Sequence, residues 1–362
     1  MTPDRAHARA SALVATAKSL VTDTEGRFSP DPALCRALTE ASGLSHEGVR
    51  WALEHALEWW ATDDDVRTLV TNAGPAVTEG PLVIVLAANV TTAALRALAC
   101  AVARAEEVLV YPSSRDAVLA RRLVEDAGVT GLRNLASRDD LPLANPRARV
   151  VLYGSADTVR TLRPLVRGTL EIHGPGLGLA LLTDETARTS VAALARDIVA
   201  FDQRGCLSPR LAVHVGSPER GRALAAELFG ELDRLGAICP LGTLEESERH
   251  ARALALQTGR ALGDVWESPC AAVAHETVAA PSPAPTARML TVHTTTSRES
   301  AEAWLAPLLP LLSALGCDDA AAREGFLRGV PLRRSELGAM QRPRFDGPVD
   351  RRPHGPDADV SR

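Results

Sequence analysis

The stretch FDQRGCLSPR, residues 201–210, sets Cys206 in a polar break between a helical pattern and a strand pattern. Two readings are open: a small residue buried at a turn, or a nucleophile. A reactive thiolate needs partial exposure and an electropositive setting. Arg204 and Arg210 flank the position, and Gly205 permits a tight backbone. The other cysteines read as structural. Cys35 in PALCRAL and Cys100 in RALACAV fall on apolar helical faces, as core positions do. Cys239, Cys270 and Cys317 lie near loops with no histidine at metal-ligand spacing, so no metal site is expected. His173, His214 and His275 stand alone in the sequence and read as structural.

A second kind of chemistry is suggested by two strand-end turns, Ser113-Ser114 and Gly154-Ser155. In open α/β sheets, ligands bind outside the carboxyl ends of strands. Free N–H groups at a following helix favour phosphate there. The pattern alone equally fits ordinary strand-to-helix turns. No G-x-G-x-x-G follows the first strand, so a dinucleotide would be held without the usual fingerprint. HGPGLG, residues 173–178, reads as a hairpin or strand–helix loop, or as backbone that approaches a ligand closely.

The elements that must position these residues alternate. Residues 1–80 read as helices, with Ser45 and Asp63 as helix N-caps. From Pro81 the pattern changes: PLVIVLAAN is a buried strand, TTAALRALACAVARA a helix, EEVLVYPSSRD a strand and turn, and AVLARRLVEDAG a helix closed by Gly128. ARVVLYGSADTVRTLRPLV is strand, turn and helix, and GTLEIHGPGLGLALL is two short strands. After the Cys206 segment come strand LAVHV, two long helices, the Pro/Ala loop AAPSPAPTA, strand RMLTVHTTT and helix SRESAEAWLAPLLPLLSALG. The Pro- and Arg-rich tail is expected to end without fixed structure. Strand–helix alternation implies a parallel, doubly wound α/β sheet.

The 362 residues suggest two domains. Aromatics are 3%, so the cores must be built from Leu, Val and Ala. A formal net charge of −5 argues against nucleic acid or an anionic membrane as partner. No apolar run reaches the roughly 18 residues needed for a membrane span. The scattered cysteines point to a reducing cytoplasm.

FDQRGCLSP resembles the nucleophile segment of the aldehyde dehydrogenase superfamily. It is closer to the bacterial long-chain acyl-CoA (fatty-acyl) reductases known from bioluminescence systems, whose segments are similar to SSRD, YGSADTVR, FDQRGCLSP and GAMQRP, all of which occur here in the family's order. The resemblance runs from about residue 40 to residue 347. It implies an aldehyde-dehydrogenase-like fold: an N-terminal helical segment (1–80), a dinucleotide-binding domain (81–185), a catalytic domain (186–315), and a C-terminal segment (316–362) that packs back. It implies that Cys206 is the nucleophile and that the Asn89 amide is an oxyanion donor beside the Cys206 N–H. The cofactor would lie at Tyr111, Ser113, Ser114, Arg115, Gly154 and Ser155. The chain departs from the superfamily in carrying Tyr111 where a ribose-binding Lys is common. It carries EIHGPG, with Glu171 and His173, where thioester-hydrolysing relatives have E-L-G-G. Lack of a water-activating base fits reduction of an acyl group rather than formation of an acid.

The reaction implied is NADPH-dependent reduction of a fatty-acyl thioester, acyl-CoA, to an aldehyde through a thioacyl-Cys206 intermediate. An acyl-protein synthetase or acyltransferase partner and a homo-oligomer are implied with it. Two alternatives remain open from the residues: another acyl donor, such as an acyl phosphate or a carrier-bound or short polar thioester, and a non-catalytic scaffold of the same fold.

Overall fold

A computed structural model describes residues 1–87, 90–113, 117–277 and 282–352. The fold is mixed α/β, with two largely parallel sheets. Two compact units form: residues 1–42, 50–175 and 344–362 make the first, and residues 43–49 and 176–343 make the second.

The first unit opens with helices α1 (Pro3–Val21), α2 (Pro32–Ser42), α3 (His46–His55) and α4 (Asp63–Asn72). The Ser45 hydroxyl accepts from Gly48 N at 3.1 Å, as expected of a cap. Asp63 is not a cap. Thr62 caps α4 in a reciprocal box with Asp65, so Asp63 is the first helical residue. The sheet is built from β1 (Leu82–Val85), β2 (Val108–Tyr111), β3 (Leu132–Asn134), β4 (Arg149–Tyr153) and β5 (Thr169–His173). Helices α5 (Ala93–Arg104), α6 (Val118–Asp126) and α7 (Ala156–Leu162) connect them. All pairs are parallel, in the order β3-β2-β1-β4-β5. The four residues of β1 are all buried, which explains the unbroken apolar run LVIV. The chain steps outward from β1 to β3 and then returns to β4. The topological switch point therefore falls between β1 and β4.

The second unit carries β6 (Leu177–Thr183), α8 (Arg188–Val199), β7 (Pro209–Val215), α9 (Pro218–Ile238), α10 (Glu246–Leu262), β8 (Gly263–Glu267) and β9 (Ala272–Glu276). It continues with β10 (Met289–Thr295), α11 (Arg298–Leu305), β11 (Leu312–Gly316), α12 (Ala320–Gly325) and β12 (Arg333–Ser335). The order is β12-β11-β6-β7-β10-β9-β8, with only the β8–β9 pair antiparallel. Side chains alternate between two cores. Ala180, Leu182, Ala212 and Val292 join α8 and α9 in one. Leu179, Leu181, Leu211 and Val213 join α11 and β11 in the other.

Two expectations need correction. HGPGLG is neither a hairpin nor a strand–helix loop. β5 belongs to the first sheet and β6 to the second, so the two strands never pair, and the passage between units falls at 175/176 rather than at 185. LSALG does not end a helix; it is β11, fully buried. Pro307 and Pro310 stop the helical pattern ahead of it, since proline removes a donor and crowds the preceding turn.

Candidate active site

Cys206 lies in the turn between α8 and β7. The turn begins with three consecutive non-glycine residues in the left-handed region: Phe201 (φ 54°), Asp202 (φ 50°) and Gln203 (φ 66°). Each such residue costs about 1–2 kcal/mol, so the run persists only where its surroundings over-determine it. They do. Gln203 is fully buried, and its Nε2 donates to Pro209 O and to Met289 O, both at 2.6 Å. Its Oε1 accepts from Met289 N at 2.8 Å. Asp202 accepts from Gly242 N at 3.0 Å and pairs with Arg288 Nη2 at 2.6 Å, both side chains only 1% exposed. Arg288 in turn donates to Cys239 O and Pro240 O.

Beyond the strained run, the Cys206 carbonyl accepts from Ser313 Oγ of β11 at 2.5 Å. Ser208 O accepts from Gly178 N of β6 at 2.8 Å. Gly205 and Leu207 are buried, whereas Cys206 between them is half-buried. A rigid turn thus holds one partly accessible thiol. Arg204 pairs with Glu248 (2.9 and 3.1 Å) and also donates to Thr243 O. Arg210 donates to Ala284 O, and burial lowers its pKa.

The α8 helix that enters this turn is tied to the GAMQRP segment. Asp197, 1% exposed, accepts from Gly338 N at 2.5 Å and Met340 N at 3.1 Å. Burial pushes its carboxyl up to about 7 against those backbone hydrogen bonds.

In the first unit, the described residues among those expected at a cofactor lie at one rim. Tyr111 ends β2 opposite Val85 of β1, which is level with Leu152 of β4. Gly154 and Ser155 follow directly, beside the switch point. A side chain on Gly154 would press its Cβ to 3.0 Å from Thr158 Cβ. Ser155 Oγ caps α7 by accepting from Thr158 N at 3.3 Å. Ser113 is at the same end of the sheet. Asn89, Ser114 and Arg115 lie outside the described residues. The rim fits a dinucleotide in its strand order and in its close backbone turn at β4.

Glu171 is a structural counter-ion. Its carboxylate receives Arg104 (2.6 and 2.9 Å) and Arg149 (2.8 Å). His173 stacks on Tyr153 with ring centroids 4.4 Å apart. Cys35, Cys100 and Cys317 are buried, and the six cysteines form no disulfide. No group of three or more metal-ligating side chains occurs among the described residues. His214 and His275 are not alone, as the sequence suggested: both reach the Thr294 hydroxyl, at 3.4 and 2.9 Å.

Sequence reasoning missed Gln203, Arg288, Ser313 and Asp197. Gln203 left a signal, being the amide before the cysteine. Arg288 and Ser313 left none, because they reach the turn only through the sheet.

A family model described as acyl-CoA reductase (LuxC) matches residues 143–326, just over half of the chain and including the whole Cys206 turn. The chain belongs to the acyl-CoA reductase (LuxC) family. It is an oxidoreductase acting on acyl or aldehyde groups. Comparison with curated proteins gives no match. Solved structures show the aldehyde dehydrogenase fold. Methylmalonate-semialdehyde dehydrogenase from Oceanimonas doudoroffii superposes with a TM-score of 0.71 at 13% identity, covering 99% of this chain and 84% of that one. The NAD-dependent benzaldehyde dehydrogenase from Corynebacterium glutamicum gives 0.66 at 14%, over 91% and 81%. An acetylating aldehyde dehydrogenase from Geobacillus thermoglucosidasius gives 0.63 at 13%, over 97% and 86%. No helix among the described residues is long and apolar enough to cross a membrane.

Proposed function

We propose that this reductase converts a fatty-acyl thioester, acyl-CoA, to the aldehyde with NADPH, through a thioacyl intermediate on Cys206. The observation that carries the reading is the half-buried thiol, set between buried Gly205 and Leu207 on a strained turn inside the family's matched region. A thiolate exchanges acyl groups with a thioester readily. Cys206 sulfur attacks the acyl carbon, the carbonyl electrons move to oxygen, and the re-formed carbonyl expels CoA as its thiolate. The Asn89 amide and the Cys206 N–H stabilise that oxyanion. A bound nicotinamide coenzyme supplies the hydride for the second half-reaction. The acyl carbon of the Cys206 thioester gains that hydride, and the resulting thiohemiacetal collapses to aldehyde while Cys206 leaves as thiolate.

Preference for NADPH is read from the polar turn Ser113, Ser114 and Arg115, whose donors suit a 2′-phosphate. Tyr111 would pack at the adenosine side in place of a ribose-binding lysine, and Gly154 and Ser155 would lie beside the pyrophosphate. Glu171 is held by two arginines, which supports reduction over hydrolysis. The proposal extends to a cytoplasmic homo-oligomer fed by an acyl-protein synthetase or acyltransferase.

The test is product analysis with tetradecanoyl-CoA. The reading expects aldehyde and free CoA in equal amounts, with NADPH consumed and NADH used less efficiently by kcat/KM. Fatty acid as the product contradicts the reaction, and a clear NADH preference overturns the coenzyme assignment. Tetradecanoyl phosphate, run alongside, should be the poorer donor; if it is the better one, the donor assignment falls.

A further inference from the structure

We propose that Gln203 is a positioning residue for the reaction at Cys206: its carboxamide bridges β7 and β10 and so fixes the direction in which the thiol is presented. The inference rests on the reading of Cys206 as acyl acceptor.

The described β7–β10 ladder starts at Leu211 and Thr291. One step earlier on the same faces stand Pro209 and Met289. Pro209 has no N–H to offer the ladder. The Gln203 amide takes over there, giving both Nε2 hydrogens to the two carbonyls and accepting the Met289 N–H on Oε1. An amide is the side chain that can do both, since it carries two donors and an acceptor in one plane. A buried amide with all these bonds made is rigid.

That rigidity acts on the backbone of Gln203 itself, which is left-handed together with Phe201 and Asp202. Cys206 is three residues further on. On its far side the turn is fixed independently, by Ser313 Oγ on the Cys206 carbonyl and by Gly178 N on the Ser208 carbonyl. Cys206 is therefore held between two anchors, Gln203 on one side and the ends of β6 and β11 on the other. Removing the Gln203 bonds loosens the end of the run next to Cys206 and turns the thiol away, while Asp202, held by Gly242 N and Arg288, and the Ser313 and Gly178 contacts keep the turn in place. A nucleophile misplaced by about 1 Å can lose about 10²-fold in rate.

The experiment uses the full chain and peptide-mapped iodoacetamide alkylation of Cys206 against pH, with steady-state kinetics on tetradecanoyl-CoA. Gln203→Met removes all three bonds, and Gln203→Glu keeps an acceptor but loses both donors. Leu228→Ala, in the α9 core, is the control for general loss of stability. In the native protein the alkylation profile should lie below that of a free thiol, about 8.5. Both Gln203 variants should move it toward that value and lower kcat by about 10²-fold with little change in KM. Leu228→Ala should move neither. A folded Gln203 variant with the native profile and kcat overturns the proposal, as does an equal response to Leu228→Ala. A native profile already at the free-thiol value overturns the nucleophile reading itself, and it is recognised without any change at Gln203.

Discussion

At the scale of single residues, the contrast between Cys206 and its neighbours was partly legible. A cysteine between glycine and a Leu-Ser-Pro turn stood out from those in apolar helical text, and it is half-buried between the buried Gly205 and Leu207. Arg204 is next but one to Cys206 in sequence, and its guanidinium pairs with Glu248, 44 residues away. Charge pairing of that kind is set by the packing of α10 and leaves no local pattern. Of the residues proposed for the coenzyme, Tyr111, Gly154 and Ser155 lie at one rim of the first sheet. At this scale the account predicts that Asn89→Ala lowers kcat by about 10²–10³-fold, because the oxyanion it would stabilise forms only beyond the ground state. KM should change little. A loss below about tenfold would remove Asn89 from the oxyanion site.

At the scale of elements, periodicity found most strands and helices but could not say which sheet each strand joins. β6 reads like its neighbour β5, and only pairing with β7 and β11 assigns it. LSALG read as helix because Leu and Ala suit either state. The histidines show the same limit. His214 on β7, Thr294 on β10 and His275 on β9 are far apart in sequence and meet only through strand order. Gly221 of α9 makes room for them, since a Cβ there would fall 2.0 Å from Thr294 Oγ1. Burial holds both imidazoles below their usual pKa, against the charge of Asp184 on His214 and of Asp264 on His275. A histidine depressed in the folded state favours folding at neutral pH, and that contribution is lost as pH falls from about 6.5. The pair should therefore steepen acid destabilisation. Denaturant titrations of the native chain and of His275→Asn should show their stability difference shrinking between pH 7 and pH 5. Asp197, which titrates in the same window, is common to both proteins and cancels in that difference. A difference independent of pH would mean that the buried imidazole does not titrate on unfolding.

At the scale of the whole molecule, composition pointed to two domains, and the chain does form two compact units, but it threads them more than once. The C-terminal segment illustrates why no boundary was readable there. Glu336–Pro343 packs with the second unit, through Asp197, whereas Arg344–Arg352 belongs to the first. Within that first unit, Arg96 of α5 is buried against Glu58 and donates to Arg344 O and Gly347 O, and Phe345 is fully buried. A Pro- and Arg-rich text hides such contacts, because they depend on single side chains meeting partners some 250 residues away. What unites the molecule is the reaction proposed for it, in two separable halves. The most direct test is to incubate the full chain with radiolabelled tetradecanoyl-CoA and no coenzyme. The account predicts one acyl group per chain, stable to denaturation, released by neutral hydroxylamine and mapped to Cys206, with NADPH discharging it as aldehyde. No label without coenzyme, or label on any of the other five cysteines, would contradict it.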